Sequence, residues 1–91
     1  TFMSANLSQA SLNRAKLQGA NLADANLSHS SLNSSDLTSA NCRGANMQHT
    51  QLRTATLRKV DFSEANLSHA NLVGARLEGA NLATANLDGA N

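Results

Sequence analysis

A five-residue period runs through the chain without interruption. From Phe2 to Leu87 every fifth residue is leucine, except where Phe2, Cys42, Met47 and Phe62 take its place. Two residues before each of these, from Ala5 to Ala85, sits a small residue. It is alanine everywhere except at Ser30, Ser35, Thr50 and Val60. Such a spacing fits neither a helix, which needs a period of 3.6, nor a strand, which needs 2. Buried residues at this interval require a chain that turns a corner every five residues and keeps one side chain pointing inward. That chain must coil, and each coil must stack on the last to satisfy its backbone donors and acceptors.

Composition fits a narrow stacked coil. The 91 residues include no Pro, no Trp, no Tyr and two Phe. A conventional globular core of this size would use aromatic side chains as filler. Proline would remove donors from coil-to-coil pairing. Mean hydropathy is slightly negative at −0.33, yet the apolar residues are placed too regularly for a disordered chain. No apolar run approaches the length of a membrane span, and no signal peptide is visible. A soluble, cytoplasmic protein is expected.

The repeats resemble the pentapeptide repeat family, whose consensus is A(D/N)LXX. Matching units are ANLSQ from Ala5, ANLAD from Ala20, ANLSH from Ala25 and Ala65, and ANLAT from Ala80. The resemblance implies an all-β, right-handed quadrilateral parallel β-helix with four pentapeptides per twenty-residue coil. Residues 1–91 would then form a single solenoid of about four and a half coils, a rod on the order of 20 Å long at ~4.8 Å per strand. With repeats intact at both ends, the chain is expected to be a segment of a longer polypeptide. End-to-end homodimerisation through an open terminal coil is the accompanying expectation.

Stacking residues twenty apart predicts four inner columns. One runs Phe2, Leu22, Cys42, Phe62, Leu82, placing the smallest central side chain beside one of the largest, as in a close-packed interior. A lone cysteine there reads as a small hydrophobe and permits no internal disulfide. Asn6, Asn26, Asn46, Asn66 and Asn86 form another column, expected to be an amide ladder with coil-to-coil hydrogen bonds. The five glycines all fall two residues after a central residue, at a corner where permissive backbone angles are useful.

The same stacking sorts the charges. The faces centred on Leu12 and Leu17 carry Arg14, Lys16, Arg53, Arg58, Lys59 and Arg76 against Asp36 and Glu78, a net of +4. The other two faces carry Arg43 against Asp24, Asp61, Glu64 and Asp88, a net of −3. Those six cations are the candidate partner-binding residues, for an anionic protein partner. The plainer reading is solubilising charge. Nucleic acid is not expected, because those faces carry no aromatic side chain to stack on bases.

His29, His49 and His69 occupy one place in three successive coils. Neighbouring imidazoles can share Zn²⁺, Ni²⁺ or Cu²⁺. Their stacked neighbours Gln9 and Gly89 bring no strong further ligand, so the ladder is read as duplicated repeats and no metal or other cofactor is expected. No catalytic residues are expected either. The outward Ser and Asn residues lie on straight walls without a pocket, a positioned base or oxyanion donors.

The expected function is therefore a structural, non-enzymatic interaction scaffold. The family resemblance supplies an alternative, since some members mimic duplex DNA and bind type II topoisomerases such as gyrase. That behaviour goes with a strongly acidic surface, a longer rod and a projecting loop. This chain has a net charge of +1, fewer than five coils and no insertion in its register.

Overall fold

The computed structural model describes residues 1–91, wound as a right-handed quadrilateral β-helix. Parallel backbone bridges join residues twenty apart on every face. Asn6 pairs with Asn26, Ser11 with Ser31, Lys16 with Asp36 and Asn21 with Asn41, and the pattern repeats along the stack. Four pentapeptides thus close one coil. The particle measures 26 × 25 × 24 Å. The expected rod is therefore a squat prism, as wide as it is long.

Each pentapeptide has an inner small residue, a lead residue, a central residue and two turn residues. In Ala25–His29 these are Ala25, Asn26, Leu27, Ser28 and His29. The central carbonyl accepts the N–H three residues on, as in Ser30 N to Leu27 O at 3.1 Å. The second turn residue has φ between +55° and +73° at all eighteen corners, while no first turn residue has positive φ. This is the signature of a type II turn. Thirteen of those corners carry a side chain rather than glycine. Left-handed geometry costs an L residue about 1–2 kcal/mol, so the stacking imposes it at positions glycine does not relieve.

Coil-to-coil bonding holds three of the five N–H groups in a repeat. Leu27 N donates to Asn46 O at 2.7 Å, His29 N to Gln48 O at 2.9 Å, and Asn26 N to Ala5 O at 2.8 Å. The inner small residue's N–H closes a turn. Only the first turn residue has no backbone acceptor anywhere in the chain.

Inside, leucine and alanine fill the prism. Central residues from Leu22 to Leu67 are fully buried, including Cys42 beside Phe62 in one column. Departures from alanine at the inner small position are accommodated individually. The Ser30 and Ser35 hydroxyls donate to the carbonyls of Leu27 and Leu32 at 2.6 and 2.7 Å. Thr50 reaches across a coil to Leu27 O at 2.9 Å. No buried side-chain polar atom is left without a partner, which removes the cost of burying these hydroxyls. Val60 has no such option. Its bulk accompanies the longest turn bond, 3.4 Å from Val60 N to Leu57 O against 2.8–3.2 Å elsewhere.

Leu52 is completely enclosed, whereas Leu87 is 40% exposed. Leu52→Ala should therefore lower the unfolding free energy by about 2–5 kcal/mol, measured by urea denaturation. Leu87→Ala should shift the midpoint far less. Equal shifts would contradict the packing described.

Candidate functional site

The consensus asparagine does not form the expected ladder. In the Asn6 to Asn86 column, no amide bonds to the one above or below. Each Oδ1 instead accepts the N–H of the first turn residue in its own repeat. Ser8 N to Asn6 is 3.1 Å, Ser28 N to Asn26 3.0 Å, Gln48 N to Asn46 3.1 Å, Ser68 N to Asn66 3.0 Å and Asp88 N to Asn86 2.9 Å. The physical reason is proximity. The orphan donor lies two residues away in the geometry of an Asx turn, and capping it leaves no Oδ1 reach toward the next coil.

Lead-position Asp serves equally well. Asp36 Oδ1 accepts Thr38 N at 3.0 Å and the Thr38 hydroxyl at 2.6 Å. Asp61 does the same with Ser63 at 2.9 and 2.6 Å. The Thr38 hydroxyl and N–H hold the Asp36 carboxyl below its usual range, with the Gln18 amide assisting against desolvation. The Ser63 hydroxyl and N–H act likewise on Asp61, and the Arg43 charge adds to them.

On the Leu12 face the lead residues are Ser11, Ser31, Gln51 and Asn71. Two orphan donors there are capped from the previous coil: Asn33 N by Asn13 Oδ1 and Arg53 N by Asn33 Oδ1, both at 2.9 Å. Four first-turn N–H groups have no acceptor at all, those of Asn13, Gln18, Arg58 and Glu78. Three of these share the Leu17 face, where the lead residues are Lys16, Asp36, Thr56 and Arg76. Sequence reasoning missed them. The lead residues on that face were the available signal at Gln18 and Glu78, because lysine and arginine carry no acceptor.

All six candidate cations, Arg14, Lys16, Arg53, Arg58, Lys59 and Arg76, are exposed. The twenty-residue register places them on the two adjacent Leu12 and Leu17 faces. Only Arg58 has an ion-pair partner, Glu78 at 3.6 Å with both side chains exposed. An open depression of about 470 Å³ lies on the Leu17 face, lined by Thr38, Ser39, Arg58, Lys59, Glu78 and Gly79. No hydrophobic residue lines it, unlike the clefts of hydrophobic and aromatic side chains that hold small molecules. On the opposite half, Arg43 pairs with Glu64 at 3.1 Å.

His29, His49 and His69 stack with ring centroids 4.8 and 4.9 Å apart and planes inclined by 8°. Parallel rings point their nitrogen lone pairs side by side, not toward a shared ion. No group of three or more His, Cys, Asp or Glu residues is arranged to hold a metal. Gly89 ends the column, since a Cβ there would meet His69 Nδ1 at 2.6 Å. Burial, with the Asp61 charge adding, pushes the Cys42 thiol up to about 12, leaving it an unreactive core side chain. No helix is long and apolar enough to cross a membrane.

The chain belongs to the pentapeptide repeat family: the family model "Pentapeptide repeats (8 copies)" matches residues 2–38, 35–72 and 61–91. A search of curated proteins found no significant match. Among solved structures, a pentapeptide repeat protein of the Arabidopsis thaliana thylakoid lumen is 27% identical with a TM-score of 0.95, covering 99% of this chain and 63% of its own. The chain thus spans under two thirds of that relative's length. A pentapeptide repeat protein of Nostoc PCC 7120 is 28% identical with a TM-score of 0.51, over 94% of this chain and 83% of that one. QnrB1, a plasmid-mediated fluoroquinolone resistance protein, is 22% identical with a TM-score of 0.51, over 96% of this chain and 60% of its own. That last likeness concerns the fold alone.

The Asp61 carboxyl is lowered from 3.8 in the folded state. Its contribution to stability is therefore present above about pH 3.8 and lost as pH falls through the lower folded value. Asp61→Asn keeps an acceptor for Ser63 N but removes the titration. The variant should lose less stability than the parent between pH 4 and pH 2, as followed by thermal melts. Identical acid limbs would refute this role for Asp61.

Proposed function

We propose that this protein is a non-enzymatic interaction module, a rigid block whose basic side docks an acidic protein partner. The observation that carries the reading is the separation of charge on a fixed frame. Arg14, Lys16, Arg53, Arg58, Lys59 and Arg76 all point to solvent on two adjacent faces. The two acids among them are already engaged: Asp36 with Thr38 and Gln18, Glu78 with Arg58. The particle is about 25 Å across, well beyond the roughly 8 Å over which charge is screened at physiological salt. A partner at the basic side is therefore shielded from the acids on the opposite side.

A DNA-mimicking, topoisomerase-binding role is the second reading. It would use the acidic half, where Arg43 already neutralises Glu64 and Asp24, Asp61 and Asp88 remain. Three carboxylates make a poor copy of a duplex carrying one charge per ~1.7 Å, which places this reading second.

The test compares partner capture from the native cell by the parent, by an Arg53→Glu, Arg58→Glu, Lys59→Glu variant, and by an Asp61→Lys, Glu64→Lys variant. The basic-side reversal should abolish a capture that raised salt also weakens, and the acidic-side reversal should not. Capture that survives the basic-side reversal would overturn the proposal. Inhibition of gyrase supercoiling by the parent would promote the second reading.

A further inference from the structure

The Leu17 face differs from the rest of the surface in more than charge. Elsewhere a lead asparagine, aspartate or threonine, or an asparagine from the coil before, covers the orphan main-chain N–H at every corner except Asn13. On this face Gln18, Arg58 and Glu78 keep that N–H uncovered, because Lys16 and Arg76 bring no acceptor to the lead position and the Thr56 hydroxyl is not turned onto the Arg58 N–H. Two of those three substitutions exchange an acceptor oxygen for a cation. The backbone frame is unchanged, since the parallel bridges Lys16–Asp36, Asp36–Thr56 and Thr56–Arg76 continue through it. Donors and positive charge are therefore presented together on a rigid wall.

We infer that the Leu17 face is a carboxylate-reading site, in which Asp or Glu side chains of a partner protein's acidic segment supply the acceptor oxygen that the lead residues do not place on these N–H groups. The inference rests on the proposal that the basic side is a docking surface, and it names the chemistry recognised there. Asp36 and Asp61 are the molecule's own precedent. Each places one carboxylate oxygen on a first-turn N–H and on the hydroxyl of the same residue. At Arg58 an incoming carboxylate meets the same N–H, with the Arg58 and Lys59 cations beside it.

The depression lined by Thr38, Ser39, Arg58, Lys59, Glu78 and Gly79 gives it room, about 470 Å³ with no hydrophobic residue in its lining. The Lys59 stem lies over Gly79, where an added Cβ would come within 3.3 Å of Lys59 Cγ. Side-chain bulk at corner 79 is thereby avoided. Glu78 is the internal competitor. Its bridge to Arg58 is long at 3.6 Å and solvent-exposed, a geometry worth little in water, so a second carboxylate displaces it at small cost. Phosphodiester chains are the less suitable occupant, because the face has no aromatic platform for bases.

Thr56→Asn is the decisive variant. It alters no charge, restores the common lead residue and covers the Arg58 N–H from within. The measurement is an NMR titration of the parent, Thr56→Asn and an Arg58→Gln, Lys59→Gln variant with a hexa-glutamate peptide, with circular dichroism confirming each fold. The parent should bind, with the Arg58 amide proton moving downfield. Thr56→Asn should stay folded, lose that shift and bind about tenfold or more weakly, the loss expected for a hydrogen bond to a charged group. Unchanged binding by Thr56→Asn, with loss in the Arg58→Gln, Lys59→Gln variant, would overturn the carboxylate-reading site and leave the basic docking side standing. Binding untouched by either change, or none by the parent, would overturn both. Tighter binding of a short single-stranded oligonucleotide at the same amides would overturn the choice of occupant.

Discussion

The coil-to-coil backbone hydrogen bond is the interaction on which the rest of this molecule depends. It fixes twenty residues per coil, because the central residue's N–H reaches the lead carbonyl of the next coil at 2.7–3.0 Å. With that spacing set, leucine stacks on leucine and alanine on alanine, and the interior fills with Phe62 as its one fully buried aromatic side chain. The same bonds hold thirteen non-glycine corners at positive φ, a geometry that an isolated pentapeptide would not keep. Stability here is cooperative between neighbours, as in any stacked repeat. No single pentapeptide has a core of its own.

One N–H per repeat falls outside this bonding, and the surface chemistry follows from how it is covered. Asn or Asp at the lead position covers it locally. Where Asn13 and Asn33 stand on the Leu12 face, the previous coil covers it instead. The Leu17 face alone leaves it open along most of a column. The consensus asparagine is thus a capping residue of the wall. Its replacement by a residue that leaves the N–H uncapped, where the previous coil supplies no cap either, marks where the wall has donors to offer outside the molecule.

The period of five made the fold legible, since nothing but a stacked coil buries every fifth side chain. The charge-sorted faces were legible for the same reason, because the twenty-residue register assigns every residue to a wall. The Cys42 and Phe62 pairing in one column also followed from counting. The role of Asn6 and its stacked partners did not. Stacking places amides above one another, but which acceptor an Oδ1 finds depends on the turn, and the orphan N–H two residues on is nearer than the next coil. The histidine column was legible as a column. Its parallel rings required the shared backbone angles of His29, His49 and His69. The Arg58 to Glu78 bridge depended on side-chain rotamers that no period encodes.

Native-state amide hydrogen exchange, read residue by residue in the middle coils, tests the capping account most directly. Arg53, Arg58 and Ser63 hold equivalent first-turn positions on three successive walls. Arg53 and Ser63 should exchange slowly, because their N–H groups are capped by Asn33 and Asp61. Arg58 should exchange faster by about an order of magnitude or more, as for an amide open to solvent. Equal protection at all three would contradict the capping account.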